Sequence, residues 1–502
     1  MFGTPSTRQA TRKTRHSQAK EEEMTTADGP LVVSPVNPRY FTVDGGQEAV
    51  YLTGSHIWNN FHDGLGPGGS CAERPEEFDY RAYLKLLGDH GHNFIRLWRW
   101  EHFRSQAAGG GFHLCMSPQP WPRTGPGTAS DGGPAFDLSR FDQAYFDRLR
   151  DRVAAAGAEG IYVAVMLFDG WALHLSPLPD NVEGHPFAAA NNVNGVGIAS
   201  IVDYQVLPLD PAVQAFQEAY IRKVVDTVQD LPNVLYEVAN ESSGADAPGV
   251  ELPDGSSIPT PIGDSTGWQY WVIELLKGYE REMGYQRHPI GMTMQFPVPD
   301  QARVNDPLLN GPADWISPGF DDEIFTGRWA TDPPAADGAK VVISDTDHYI
   351  PGGGDALWAW KTFLRGHHPI LMDFGIVDPV HPLDPSLGVP SYESFEPARL
   401  AMGDTLRFAR RMGLLAMTPR GELSSTGYAL ADPGREYLVL QPAGAAEFTV
   451  TLEPGPYRVE WFAVDGRDTA PADPVTVDGP GPVGFTAPFA TGPAVLYLAK
   501  RA

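Results

Sequence analysis

Val234-Leu235-Tyr236-Glu237-Val238-Ala239-Asn240-Glu241 is an apolar run, interrupted only by Glu237, that breaks into polar residues at its C-terminal end. A strand with one wet face alternates apolar and polar residues. A near-continuous apolar run suits a parallel sheet covered on both faces. Seven further stretches have the same form and are predicted as strands: 51–54, 94–98, 161–167, 290–294, 315–317, 341–344 and 370–373. Between them, apolar residues recur three and four apart, as in Tyr80, Tyr83, Leu84 and Leu87, or Phe216, Tyr220, Val224 and Val228, which predicts helices. Eight strands separated by helices predict an α/β fold, a closed (β/α)8 TIM barrel rather than an open doubly wound sheet. An open sheet for nucleotides would carry a glycine-rich turn after an early strand. The stretch from Gly64 to Gly69 fails that test, because Pro67 interrupts it and no helix begins on its last glycine.

Outside the barrel the pattern changes. Tyr40-Phe41-Thr42-Val43 and Val50-Tyr51-Leu52 read as two short strands across a glycine turn. After Met417, short strands around residues 437–440, 448–452, 457–462, 475–477 and 495–498 are parted by Pro/Gly turns with no helix between them. This predicts a small C-terminal antiparallel β-sandwich. The expected division is a disordered leader over 1–29, a catalytic barrel over 30–415 and the sandwich over 416–502.

The leader is basic at Arg8, Arg12, Lys13 and Arg15 and acidic at Glu21, Glu22 and Glu23, without the apolar core of a secretory signal. No stretch approaches the roughly 18 consecutive apolar residues of a membrane span. The chain is therefore expected in the cytoplasm, with secretion by another route left open. With 42% hydrophobic and 11% aromatic residues over 502 positions, disorder is excluded. A net charge of −26 argues against nucleic acid or an anionic membrane as partner. Cys71 and Cys115 are too few for a disulfide framework or a Cys-rich zinc site, although one disulfide is possible. Oligomeric state is left open.

In a parallel barrel the reacting groups sit at the C-terminal ends of the strands. There the sequence places His56, Trp58, Asn59 and Asn60; Arg96, Trp98, Arg99, Trp100 and Glu101; Asp169, Trp171 and His174; Asn240 and Glu241; Asp345, Asp347 and His348; and Asp373. Aromatic rings beside carboxylates suit a carbohydrate substrate, because sugar C–H faces stack on rings while acids act on the glycosidic bond. Asp345, Asp347 and His348 also admit a metal reading. No cofactor is implied.

The fragment ending in Asn240-Glu241 resembles the fourth-strand motif of clan A glycoside hydrolases. That resemblance implies Glu241 as general acid/base, Asn240 as a ligand of the sugar 2-hydroxyl, and Arg96 as orienter of the nucleophile. The clan places a nucleophile, usually Glu, at the end of the seventh strand, where this chain has Asp345-Thr346-Asp347-His348. Asp345 aligns best; Asp347 either holds the sugar or is itself the nucleophile. The opening from Val50 to Phe61 resembles apiosidase-like members, and the segment from Tyr437 to Leu498 resembles the collagen-binding-type β-domain that follows their barrel. The implied activity is retaining glycoside hydrolysis, with a pentofuranoside such as apiose or arabinofuranose as favourite. His56, Trp58, Trp98, Trp100, Asp169, Trp171, His348 and Asp373 are the remaining substrate-binding candidates. Glu237 is expected to be buried against Arg96. A non-catalytic carbohydrate-binding protein on the same scaffold is the alternative.

Overall fold

The computed structural model describes residues 27, 29–43, 45–66, 77–106, 113–174, 182–244, 263–298, 300–323, 327–348, 353–373 and 392–501. The predicted leader lies outside the described residues except for Ala27 and Gly29, as do Cys71 and residues 67–69. Cys115 is disulfide-bonded. No helix among the described residues is long and apolar enough to cross a membrane.

Eight parallel strands form the barrel: β1 (Gly54–His56), β2 (Phe94–Leu97), β3 (Tyr162–Asp169), β4 (Val234–Asn240), β5 (Ile290–Thr293), β6 (Trp315–Ser317), β7 (Val341–Asp345) and β8 (His368–Met372). They pair in the order β1-β8-β7-β6-β5-β4-β3-β2. Asn93 laces the remaining seam: its side-chain oxygen accepts from Thr53 N at 2.9 Å, its own N–H donates to Thr53 O at 3.0 Å, and its amide donates to Tyr51 O at 2.8 Å. The strands meet so closely there that a Cβ on Gly54 would lie 2.2 Å from Phe94 O. Only glycine fits.

The first strand begins three residues later than predicted. Leu52 N donates to His368 Nδ1 and Thr53 N to Asn93 Oδ1, so side chains take donors that strand carbonyls would otherwise satisfy. The N-terminal hairpin also differs. Phe41–Val43 pairs along its length with Leu31–Val33, and Val50 reaches Phe41 through a single bridge.

Helices α1 (Tyr80–Asp89), α2 (Gln143–Ala158), α3 (Pro211–Val228), α4 (Thr266–Met283), α5 (Asp306–Asn310), α6 (Arg328–Thr331), α7 (Ala356–Leu364) and α8 (Glu396–Ala409) follow the strands in turn. Aspartates start four of them, since Asp79, Asp142, Asp210 and Asp355 each accept from an N–H of the first turn. Inside the barrel, side-chain alternation builds two layers. Phe94, Leu235 and Ile343 join Leu31 and Phe41 in an apolar floor. Two residues further along the same strands stand Arg96, Glu237 and Asp345, buried and polar. This alternation puts charge above grease.

The C-terminal part is antiparallel, as expected, but its two sheets are unequal. Strands β9 (Thr418–Pro419), β10 (Ala429–Asp432), β11 (Glu436–Gln441), β13 (Gly455–Ala463), β14 (Thr469–Val477) and β16 (Ala494–Lys500) form one sheet, in the order β9-β10-β11-β16-β13-β14. Strands β12 (Phe448–Leu452) and β15 (Gly481–Phe485) form a two-stranded partner. Tyr437, Val450, Trp461 and Phe485 fill the space between them. The large sheet turns its other face to the barrel, where Phe462 meets Trp360 of α7 and Phe408 of α8 at ring separations of 5.7 and 5.5 Å.

Candidate active site

Arg96 organises the mouth of the barrel. It is fully buried and spends its donors on two other strands, β4 and β7. Nε and Nη2 donate to Glu237 at 2.8 and 2.5 Å, Nη2 also to Asn240 Oδ1 at 2.8 Å, and Nη1 to Asp345 Oδ2 at 2.7 Å. Such a charge-assisted, bidentate arrangement fixes the guanidinium plane. Its Nη1 lies 3.6 Å from Asp347 Oδ2.

Asp345 is heavily engaged. Its Oδ2 also lies 2.8 Å from His56 Nε2, and its Oδ1 accepts from Asp347 N at 3.0 Å. Trp98 Nε1 donates to His56 Nδ1 at 2.8 Å, which leaves the ring proton on Nε2, facing the carboxylate. Burial alone would raise the Asp345 carboxyl, but His56 and Arg96 outweigh it and hold the group well below its ordinary range.

Asp347 differs from its neighbour. Strand β7 ends at Asp345, and Thr346–His348 is a 3₁₀ turn, so a turn rather than strand alternation delivers Asp347. Its Oδ2 is buried and without a hydrogen-bond partner among the described residues. Burial, reinforced by the charge of Asp345, pushes its carboxyl up to about 8.

Glu241 stands one residue beyond β4 with φ of 43°, left-handed backbone that a glutamate seldom adopts. Two groups from the β3 loop hold that turn. His174 Nε2 lies 2.8 Å from Glu241 O, and Gly170 N donates to Asn240 O at 2.8 Å. Burial lowers the His174 imidazole to about 4, so it is neutral and carries its proton on Nε2. A Cβ at Gly170 would lie 2.6 Å from Ser242 Cα and 2.9 Å from Glu241 O. The Glu241 carboxyl is raised well above its ordinary value, first by burial and then by Asp347 and Asp169.

Carboxylate oxygens of Glu241 and Asp347 and a ring nitrogen of His348 all lie within 4.8 Å of one another. His348 Nδ1 lies 2.9 Å from Ser317 Oγ, and its Nε2 has no partner among the described residues. Two carboxylates and an imidazole are a donor set a divalent cation accepts. The Arg96 guanidinium already brings positive charge to Asp347, however, and a metal there would have to displace or tolerate it.

Asp169 is buried and raised to about 7, by burial and then by the charge of Glu101. It accepts from Asn240 Nδ2 at 3.4 Å and from the amides of Trp171 and Ala172, so it caps the short helix that carries His174. Trp98 and Trp100 are buried, whereas Trp58 and Trp171 are partly exposed and meet Trp100 edge-on at 6.4 and 5.8 Å. Asp373 N donates to His56 O at 2.9 Å, but both its carboxylate oxygens are bound by Arg399 of α8, at 2.5 and 2.7 Å. Sequence reading missed Arg399, Ser317 and Gly170. For Gly170 a signal existed, a glycine directly after the polar end of an apolar strand.

Chemically, the site offers two buried carboxyls close enough to compete for one proton, with an arginine beside one of them. No family model and no curated protein matches the sequence. Solved structures match in fold. A glycoside hydrolase aligns over 94% of this chain and 97% of its own, at 13% identity and a TM-score of 0.57. A glycoside hydrolase family 5 protein from Bacteroides vulgatus aligns over 94% of this chain and 93% of its own, at 13% identity and a TM-score of 0.56. At these identities the likeness is one of fold.

Proposed function

We propose that the protein is a retaining glycoside hydrolase acting on a carbohydrate. The observation that carries this reading is the approach of Glu241 and Asp347 oxygens to within 4.8 Å, with Arg96 3.6 Å from the aspartate. Retaining enzymes hold their two carboxyl groups only about 5–5.5 Å apart, whereas inverting enzymes need about 6.5–9.5 Å to admit a water. Glu241, raised by burial and by its acidic neighbours, carries the proton and gives it to the leaving oxygen as a carboxylate of the β7 end attacks the anomeric carbon. Once ionised, Glu241 takes a proton from water, and the glycosyl–enzyme is hydrolysed.

Asn240 lies beside Glu241 with its oxygen on Arg96 and one amide hydrogen on Asp169, which leaves the other amide hydrogen for a sugar hydroxyl. The partly exposed rings of Trp58 and Trp171 suit stacking on sugar faces. The resemblance of the opening segment to apiosidase-like members puts pentofuranosides, apiosides and arabinofuranosides first among substrates. The test is sugar release from a panel of aryl pyranosides, aryl furanosides and plant or microbial polysaccharides, with wild type beside Glu241→Gln. Turnover by wild type that Glu241→Gln loses supports the reading. Undiminished turnover in the variant, or binding without turnover in wild type, overturns it, the second in favour of a carbohydrate-binding protein.

A further inference from the structure

Resting on the retaining reading, we infer that Asp347 is the nucleophile and that Asp345, the residue closing strand β7, is a positioning residue. The inference comes from accounting for each carboxylate oxygen. Asp345 Oδ2 meets Arg96 Nη1 at 2.7 Å and His56 Nε2 at 2.8 Å, while Oδ1 accepts from Asp347 N at 3.0 Å. Its side chain has no exposed surface. To attack a sugar it would have to give up the hydrogen bond from Arg96 Nη1 and move away from the His56 ring in a buried site, leaving Nη1 without its acceptor.

Asp347 carries no such load. Its Oδ2 has no hydrogen-bond partner among the described residues, its side chain keeps 8% exposure, and it lies within 4.8 Å of the Glu241 carboxyl. A buried carboxylate oxygen without a donor is unusual, because desolvation penalises it. An incoming electrophilic carbon supplies what the empty site lacks.

The remaining groups then have defined tasks. Asp345 grips the amide of Asp347 and so holds the 3₁₀ turn that presents it. It also holds Arg96 by Nη1, the nitrogen 3.6 Å from Asp347 Oδ2. In the first step an electron pair on one Asp347 carboxylate oxygen forms the bond to the anomeric carbon. The glycosidic C–O bond breaks, and its electron pair stays on the leaving oxygen, which takes the Glu241 proton. In the second step water gives a proton to Glu241, its oxygen bonds to the anomeric carbon, and the Asp347–sugar bond breaks to return the carboxylate.

The test is azide rescue with a panel of 2,4-dinitrophenyl pyranosides and furanosides, using wild type, Asp347→Gly and Asp345→Asn. Asp347→Gly is expected to lose turnover by about 10³-fold or more, and molar azide to restore it with a glycosyl azide of inverted configuration. Asp345→Asn is expected to lose about 10–100-fold through misplacement, with no azide effect. Its acid limb should move to lower pH, a change that a merely structural defect would not produce, because the charge of Asp345 contributes to the raised Asp347 carboxyl. Wild-type protein inactivated by a 2-deoxy-2-fluoroglycosyl fluoride of a sugar turned over in the panel provides a measurement free of folding artefacts. Peptide fragmentation should place the adduct on Asp347. An adduct on Asp345, or azide rescue of an Asp345→Gly variant alone, overturns the inference and leaves the retaining reading standing. Wild type inert on every glycoside overturns both.

Discussion

Adjacent barrel strands end in aspartates that meet opposite fates. Beyond β8, Asp373 gives both oxygens to Arg399, and the ion pair ties the sheet to the last barrel helix. At the end of β7, Asp345 absorbs the local donors, and just beyond it Asp347 is left with an oxygen unpartnered among the described residues. Position at a strand end is therefore not what makes a carboxylate reactive. Unspent hydrogen-bonding capacity is, because a fully satisfied anion has little to gain from a substrate and an unsatisfied one is held at a cost.

The largest effect that contrast predicts is in rate. Glu241→Gln should lower turnover of substrates with poor leaving groups by about 10²–10⁴-fold, the range general acid catalysis contributes. Asp373→Asn should stay within about twofold of wild type at a temperature where it is folded. An Asp373 variant as inactive as Glu241→Gln would erase the distinction between the two strand ends. In stability the order reverses. Removing one partner of a buried ion pair costs about 3–5 kcal/mol, so Asp373→Asn should unfold at clearly lower denaturant concentration, whereas Glu241→Gln should not.

Gly170→Ala sharpens the comparison from the side. The methyl group would lie 2.6 Å from Ser242 Cα, so the β3 loop or the Glu241 turn must move. A displacement of about 1 Å can cost 10²-fold, and a loss of about 10–100-fold in kcat with the fold retained is expected. An unchanged kcat would mean that the left-handed turn at Glu241 tolerates movement and is not held for catalysis.

The pH profile follows from the same asymmetry. The nucleophile must be ionised and Glu241 protonated. Asp347 sits at about 8, and Glu241 is raised by burial and by its neighbours. Both limbs of kcat/KM therefore lie on the alkaline side of an unperturbed carboxyl pair near about 4. Activity should fall as pH drops through Asp347's value, and an acid limb near 4 would show that the pair is solvated in the working enzyme.

Much of this was legible in the sequence. Apolar runs and three-four spacing located the eight strands and helices α1 to α4, though not α7 and α8, because covering a parallel sheet on both faces leaves a strong pattern. The polar residues after six of the eight runs located the mouth of the barrel. What the pattern did not carry is which of those residues are already spoken for. Arg399 meets Asp373 from a helix 26 positions away, and no local spacing announces the pair. Nor does a period of two reveal that β7 stops at Asp345 and a 3₁₀ turn takes over, although that turn gives two aspartates two positions apart different surroundings. The C-terminal strands β9, β10 and β15 are short and rich in Gly, Pro and Ala, too weakly apolar for periodicity to register.

The smallest effect expected is also the most specific to the contrast. A folded-state value of about 8 for Asp347, against about 3.9 in an unfolded chain, means that the native protein holds a proton the unfolded chain has lost. Stability contributed by this group is therefore full below about pH 4 and declines as pH rises toward 8. Asn in its place has no charge to bury. Asp347→Asn should match wild type near pH 4 and melt higher near pH 8, by about 2 °C or more, while losing activity. Asp373→Asn should melt lower at both pH values, since it leaves Arg399 only Glu396 and the Tyr392 carbonyl as partners. If Asp347→Asn were destabilising at pH 8 instead, its oxygen would be satisfied in solution, and the difference between the two strand ends would be one of position alone.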